Sequence, residues 1–390
     1  VIGIVLIVVL APLWAVDMVF LVEVVLGLAP SRRRPLGPLP GRIAVLTPAH
    51  NEGQVIRASI TAIRAVLPPG TRQLVVVHNC TDNSAEEARA GGAEIAILDR
   101  ADQRGKGYAL AFGRDQLASD PPDVVIVIDA DCTAEAGSID HLARMTMAHG
   151  SAVQSCYLFR SRPDDAPIVQ ISNFAMLVKN LIRQRGGQRI GAPALMTGSG
   201  MAFPWARFAA LDLATGNIVE DLAIGVELVE AGAPPAFAEQ ARIWSSPSST
   251  AGTQTQRARW EGGFMATART TGVPLLLRGL RGRSWSRVWM GLHLLVPPLT
   301  LVVMVNLCAW LALAIARFLG GPAAPFVLSS ILLAAILAAV LAAWAVAGRA
   351  ALRGRTLLRL PLYVLWKLAL YARLVRRNEK VGWVRTERVD

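Results

Sequence analysis

A chain of 390 residues can hold one large domain with appendages or two ordinary domains, but 53% hydrophobic residues and a mean hydropathy of +0.42 exclude a wholly soluble protein and require membrane segments. The net charge of +12 is gathered beside the hydrophobic stretches: from Arg257 onward 19 Lys and Arg stand against 4 Asp and Glu, as expected of membrane-surface charge on the cytoplasmic side. No RNA- or DNA-binding motif accompanies it, so no nucleic-acid partner is expected, and the four cysteines and five histidines carry neither a disulfide framework nor zinc spacing.

Val1 to Pro30 is almost entirely aliphatic and long enough to span ~30 Å of hydrocarbon. Asp17 and Glu23 interrupt it; both are costly in lipid and should face another helix or lie near the interface. Ser31-Arg32-Arg33-Arg34 follows and places the C-terminal end of this helix in the cytoplasm. A signal peptide is the alternative, disfavoured because its apolar part is much shorter. A Pro/Gly-rich linker (31–40) leads into alternating patterns, with strands at Ile43–Leu46, Leu74–Val77, Ile95–Leu98 and Val124–Ile128 and helices at Gln54–Val66, Ser84–Ala90 and Lys106–Leu117. The alternation predicts an open, doubly wound α/β sheet within 41–255, with ligands at the carboxyl ends of its strands.

The run Val124 to Ile128 is five β-branched residues, the mark of a buried parallel strand, and it ends in Asp129-Ala130-Asp131. At a strand end residues i and i+2 share a side, so the pair can offer hard oxygen ligands to Mg2+ or Mn2+ held with a phosphate. Asp is also a common turn residue after a strand, and the pair alone does not decide. Cys132 reads as a small packing residue, since a hard ion prefers oxygen. The first two strands lead into Thr47-Pro48-Ala49-His50-Asn51-Glu52 and His78-Asn79-Cys80-Thr81-Asp82-Asn83-Ser84, loops that set donors and acceptors at helix N-termini. Gly105-Lys106-Gly107 opens a helix where Lys106 can meet an anion, although each of these pieces singly could be turn and capping chemistry.

Downstream, Met196 to Phe203 is rich in small residues and lets a ligand approach the backbone, or forms a strand with a glycine bulge. Asn217-Ile218-Val219-Glu220-Asp221-Leu222 puts an acidic pair at a helix start. Gln256-Arg257-Ala258-Arg259-Trp260 joins a cation suited to a pyrophosphate with an aromatic face suited to a sugar ring. The same stretch also suits an amphipathic helix at a membrane interface.

In this order the motifs resemble the membrane-anchored family 2 glycosyltransferases, relatives of cellulose, chitin and hyaluronan synthases and of ceramide glucosyltransferase, over Ile43 to Trp260. The resemblance implies a GT-A fold, a Rossmann-like nucleotide-sugar-binding domain on the cytoplasmic face, and inversion at the sugar by direct displacement. It implies that Asp129 and Asp131 hold the metal and the donor diphosphate, and that Asp221 is the general base. Gln256, Arg259 and Trp260 would close over the diphosphate and flank the acceptor, while Pro48, Asn51, Glu52, His78, Asp82 and Lys106 would cradle the base, ribose and phosphates. His78 stands where the family often has an acidic residue, and Val219-Glu220-Asp221 replaces T-E-D, losing a hydroxyl and keeping the base. A UDP-sugar is the expected donor.

After Trp260 the chain is expected to continue as interfacial helices (256–288), two spans at Trp289–Ala316 and Phe326–Ala347 (289–347), and a basic segment (348–390) with an interfacial helix over Leu357–Val375 and a cytoplasmic tail. This layout describes a multi-pass protein of the cytoplasmic membrane. Three spans are few for a polysaccharide channel, so the expected reaction is transfer of one sugar to a lipid or lipid-linked saccharide acceptor. A processive polysaccharide synthase is the second reading. A non-catalytic nucleotide-sugar sensor or scaffold is the third, opposed by Asp221 and both D-x-D aspartates. A homo-oligomer or an export partner is compatible with each.

Overall fold

Strands that are apolar on both faces need cover on both sides, and the chain supplies it by alternating them with helices. The computed structural model describes residues 2–32, 36–162, 164–217, 219–247, 250–357, 359 and 367. In chain order the strands are β1 (Ile43–Ala49), β2 (Arg72–His78), β3 (Glu94–Leu98), β4 (Val124–Val127), β5 (Cys132–Ala134), β6 (Val153–Phe159), β7 (Met201–Pro204) and β8 (Ala236–Ser245). The helices are α1 (Ile2–Gly27), α2 (Ile56–Arg64), α3 (Ser84–Ala90), α4 (Lys106–Leu117), α5 (Ser138–His149), α6 (Pro167–Leu177), α7 (Gln184–Arg189) and α8 (Trp205–Ala209). They continue with α9 (Glu220–Glu230), α10 (Thr250–Thr267), α11 (Val273–Arg281), α12 (Trp285–Leu295), α13 (Leu299–Phe318) and α14 (Ala323–Ala343).

These elements form two compact units, one built from Ser31–Arg160 and Pro193–Phe264, the other from residues up to Pro30, Ser161–Ala192 and the described residues from Met265 onward. In the first unit the eight strands make one sheet in the order β3-β2-β1-β4-β7-β6-β8-β5. The β3-β2-β1-β4 half is parallel, as the alternating sequence predicts. Beyond β4 the sheet turns mixed: β7 lies antiparallel to β4 and to β6, β8 runs parallel to β6, and β5 closes the edge antiparallel to β8. The doubly wound reading therefore holds for half of the sheet, and the other half brings the returning strands β7 and β8 beside the end of β4. On one face Leu46, Val76, Val125 and Val127 pack with Leu110 of α4, Phe203 of β7 and Ile224 of α9. On the other, Val75 and Val77 pack with Ile56 and Ile60, four residues apart on one face of α2.

In the second unit, α1, α13 and the continuous helix Ala323–Gly348 are long and apolar enough to cross a membrane. Both acids of α1 are paired. Glu23 accepts from Arg183 Nε at 2.6 Å, His293 Nδ1 at 2.6 Å and Trp289 Nε1 at 3.2 Å, and Asp17 accepts from Asn306 Nδ2 at 2.8 Å. The expected span Trp289–Ala316 is corrected: Trp289 to Leu295 belong to α12, and a separate helix starts at Leu299. Pro297 and Pro298, which lack a backbone N–H, break the run between them. Within the basic linker, residues 33–35 lie outside the described residues, as does most of 348–390, including the expected interfacial helix and tail.

Candidate active site

Strand β4 ends at Val127; Ile128 N–H still donates to Leu46 O (3.1 Å), and the chain then turns, with Cys132 N–H donating to Asp129 O at 3.0 Å. The two aspartates thus occupy the first and third positions of a tight turn rather than alternating along a strand, so the turn and not strand alternation brings them together. Carboxylate oxygens of Asp129 and Asp131 and the Cys132 sulfur lie within 4.8 Å of one another. A serine holds each aspartate, one by its carboxylate and the other by its backbone. Asp131 Oδ2 accepts from Ser245 Oγ at 2.9 Å at the end of β8, and Asp129 N–H donates to Ser199 Oγ at 3.1 Å.

The donor chemistry fits a hard divalent ion: two carboxylates converge on a site whose thiol stays protonated. Burial, then the charges of Asp131 and Asp129, pushes the Cys132 thiol well above its ordinary value, and Cys132 Sγ donates to Asp131 Oδ1 at 3.4 Å. Burial, with the neighbouring Asp131 charge, also lifts the Asp129 carboxyl, against the pull of Lys106.

Lys106, the first residue of α4, reaches this turn. Its Nζ lies 2.6 Å from Asp129 Oδ1 and 3.5 Å from Glu220 Oε1, and donates to Gly198 O at 2.6 Å. Burial opposes its charge, but Asp129, Glu220 and Asp221 together raise its pKa above the usual lysine range. Gly107 lets α4 start this close to its neighbour, since a Cβ there would meet Leu213 O at 2.4 Å and Thr215 O at 2.6 Å.

Glu220 and Asp221 occupy the first turn of α9, where helix N–H groups favour carboxylates. Asp221 Oδ1 accepts from Leu222 N–H at 2.8 Å. Burial pushes Glu220 up to about 7, with Lys106 pulling it down and Asp221 pushing it up. The three elements meet at Gly198, whose φ of +88° suits glycine. A Cβ there would lie 3.3 Å from Asp221 Oδ2, 3.6 Å from Lys106 Nζ and 3.9 Å from Asp129 Oδ2. Small size is required where α4, α9 and the turn after β4 converge.

Gln256, Arg259 and Trp260 lie on α10, all partly buried. Burial pulls Arg259 below its usual value, while Glu220 and Asp129 hold it up, so this guanidinium feels the same acidic centre. The Trp260 ring centroid is 5.8 Å from that of Phe159, the last residue of β6. Arg257 is buried against both, its guanidinium 4.6 Å from the Phe159 ring and 5.0 Å from Trp260.

The residues after β1 and β2 form a second, interlocked group. Asn51 Oδ1 accepts from Thr81 N–H (2.7 Å), Asp82 Oδ2 accepts from Gly53 N–H (3.0 Å), and Glu52 N–H donates to Ser84 Oγ (2.8 Å). Asn51 adopts φ +54° and Asn79 φ +49°, the left-handed backbone that asparagine tolerates. His78 is buried and donates from Nε2 to Gln103 O at 2.7 Å; His50 Nδ1 donates to His78 O at 2.7 Å. Burial lowers the His78 pKa against that hydrogen bond. Pro48 lies within β1, in register with Val76.

The structure thus gathers Asp129, Asp131, Lys106 and Asp221 into one centre, and Asn51, Glu52 and Asp82 into a loop pair. Ser199, Ser245, Phe159 and Arg257 were not singled out as site residues from sequence. Ser199 lies in the small-residue stretch Met196 to Phe203 and Arg257 within Gln256–Trp260, so both carry a signal in the sequence; Ser245 carries none.

A family model described as glycosyltransferase like family 2 matches residues 40–263. Uncharacterized glycosyltransferases of Mycobacterium bovis and Mycobacterium tuberculosis are each 36% identical over 100 residues, 26% of this chain and 41% of the relative, so the chain spans about two fifths of the length of these curated relatives. Among solved structures, the mannosyltransferase PcManGT from Pyrobaculum calidifontis, in complex with GDP-Man and Mn2+, matches with a TM-score of 0.55 over 96% of this chain and 97% of that chain, at 15% identity. That likeness shows a shared fold. With a family match across the sheet and its acidic centre, the chain belongs to the family 2-like glycosyltransferases and has the GT-A fold.

Proposed function

We propose that this glycosyltransferase moves one sugar from a nucleoside-diphosphate donor, a UDP-sugar, to a lipid or lipid-linked saccharide at the cytoplasmic membrane, with inversion at the anomeric carbon. The observation that carries the reading is the convergence of Asp129, Lys106 and Asp221 on Gly198. It sets a carboxylate pair suited to a divalent ion beside a separate carboxylate suited to proton abstraction. Asp129 and Asp131 would hold Mg2+ or Mn2+, which when bound supplies positive charge against the diphosphate.

In this reading Asp221 takes the proton from the acceptor hydroxyl, which attacks poorly without a base within hydrogen-bond reach. Arg259 stabilises the negative charge that builds on the leaving nucleoside diphosphate. Trp260 offers its face to a sugar ring, and Gln256 accompanies them on α10. Asn51, Glu52, Asp82 and His78 shape the loops at the carboxyl ends of β1 and β2, where the nucleoside would bind, with Pro48 just before them. An inverting displacement needs no enzyme nucleophile, and none is assigned. The three apolar helices support delivery to a membrane-borne acceptor, and the basic excess from Arg257 onward supports a cytoplasmic side for the catalytic unit. The Gln256–Trp260 motif, common among synthases, favours the second reading of a processive polymerase.

The test is release of nucleoside diphosphate from a panel of nucleotide-sugars by membranes carrying the wild-type chain or Asp221→Asn. Release from one donor, lost with chelator and reduced by about a hundredfold or more in the variant, is expected. Equal release by Asp221→Asn would remove this residue as the base. Sizing the product separates the two modes: a single added sugar supports the proposal, and long polymer from one chain supports the synthase.

A further inference from the structure

We propose that Lys106 is a built-in counter-cation that competes with the divalent ion for Asp129, so that the ion binds weakly on its own and tightly when a diphosphate comes with it. The inference rests on the metal reading of Asp129 and Asp131.

Lys106 Nζ sits 2.6 Å from Asp129 Oδ1, on a carboxylate that also contributes to the three-residue group able to hold an ion. An ammonium at that distance occupies one lone-pair direction of the oxygen and places a like charge next to any arriving cation. The position is fixed from three sides: Gly198 O accepts at 2.6 Å, Glu220 Oε1 lies at 3.5 Å, and the lysine begins α4, whose backbone is pressed against Leu213 O and Thr215 O through Gly107. The pair is reachable, with 17% of the Lys106 side chain and 28% of the Asp129 side chain exposed. Low exposure strengthens both the attraction that holds lysine to aspartate and the repulsion between lysine and metal.

Asp131 has a different environment. Its carboxylate is met by the neutral Ser245 hydroxyl and the Cys132 thiol. A cation that takes both carboxylates must displace Lys106 to gain Asp129. A displaced Lys106 keeps Glu220 and Gly198 O as partners and can turn its charge toward diphosphate oxygens. Metal and donor then favour each other's binding, and loss of the nucleoside diphosphate would let Lys106 return and eject the ion.

The test is Mn2+ binding to the purified full chain in detergent without donor, read from the electron paramagnetic resonance signal of free Mn2+. Lys106→Met and Lys106→Gln, two variants in case one fails to fold, are expected to bind Mn2+ at least tenfold more tightly than wild type. Lys106→Arg, which keeps the charge, should stay within about threefold. Unchanged or weaker binding in the neutral variants would overturn the inference, as would an arginine variant that binds as tightly as they do. Asp129→Asn separates the underlying reading: Mn2+ bound by that variant as by wild type would show that Asp129 is no ligand, whatever Lys106 does.

Discussion

The Arg257 guanidinium lies 5.0 Å from the centroid of the Trp260 ring, and both rest on Phe159, at 4.6 Å and 5.8 Å respectively. A buried cation that contacts two touching aromatic rings gains from the ring quadrupoles and fixes the rings it touches. The motif on α10 is thus tied to β6 by a residue that its pattern leaves variable.

Arg257→Leu keeps apolar volume and removes the cation. With a cation–π contribution of about 0.5–2 kcal/mol, kcat/KM for the donor should fall by about threefold to thirtyfold, and Arg257→Lys should recover part of it. A leucine variant with wild-type kcat/KM would show that Trp260 is placed without Arg257.

A side chain at Gly198 would press on Asp221 at the point where Asp221, Lys106 and Asp129 meet. Gly198→Ala forces a residue with a Cβ into φ +88° and puts a methyl 3.3 Å from Asp221 Oδ2. The backbone strain is about 1–2 kcal/mol, while the displaced carboxylate should lower turnover by about tenfold or more. Thermal unfolding and steady-state rates measure the two effects separately; a stable variant with unchanged kcat would mean that Asp221 Oδ2 does not need this space.

Glu220 gives a pH dependence with a definite sign. Its folded value of about 7 lies above the ordinary 4.5, so between these values the folded chain holds a proton that the unfolded chain has released. Its stabilising contribution is full below pH ~4.5 and is lost as pH rises to ~7, a difference of about 3 kcal/mol. Glu220→Gln removes this slope. Unfolding midpoints in chelator from pH 4.5 to 7.5 should fall more steeply for wild type than for the variant. Parallel curves would place the proton elsewhere.

The parallel half of the sheet was legible because β1, β2 and β4 each carry a continuous apolar run of four residues bounded by polar loops, and α3 and α4 coincide with their expected limits. The mixed half was not. Val153 to Phe159 is interrupted by Gln154 and Ser155, and its partner β8 lies more than seventy residues away and carries Glu239, Gln240 and Arg242. β5 is only three residues long and has no periodicity to read. In the site, Asp129, Asp131, Lys106 and Asp221 were recognised one by one, but the Lys106–Asp129 ion pair joins a helix start to a strand end and has no local sign in the sequence. Ser245 was hidden for the same reason, since only the β5–β8 pairing brings it to Asp131. The Pro297-Pro298 pair did carry the break between α12 and α13, and the apolar run around it concealed it.

The Glu23 cluster predicts strong coupling within the second unit. Its carboxylate is fully buried and accepts from Arg183, His293 and Trp289, joining α1 to the segment before α7 and to α12. Two close backbone approaches hold it there: a Cβ on Gly186 would fall 1.8 Å from Glu23 O, and one on Gly27 1.9 Å from Ile182 O. Glu23→Gln leaves the Arg183 charge buried without its counter-ion, at a cost of about 3–5 kcal/mol, and Arg183→Met does the converse. Glu23→Gln/Arg183→Met together remove both charges, so the double variant should be less destabilised than the sum of the single ones by at least about 1–2 kcal/mol. Denaturant unfolding of the four proteins in detergent measures this coupling. Strict additivity would mean that the two side chains act independently.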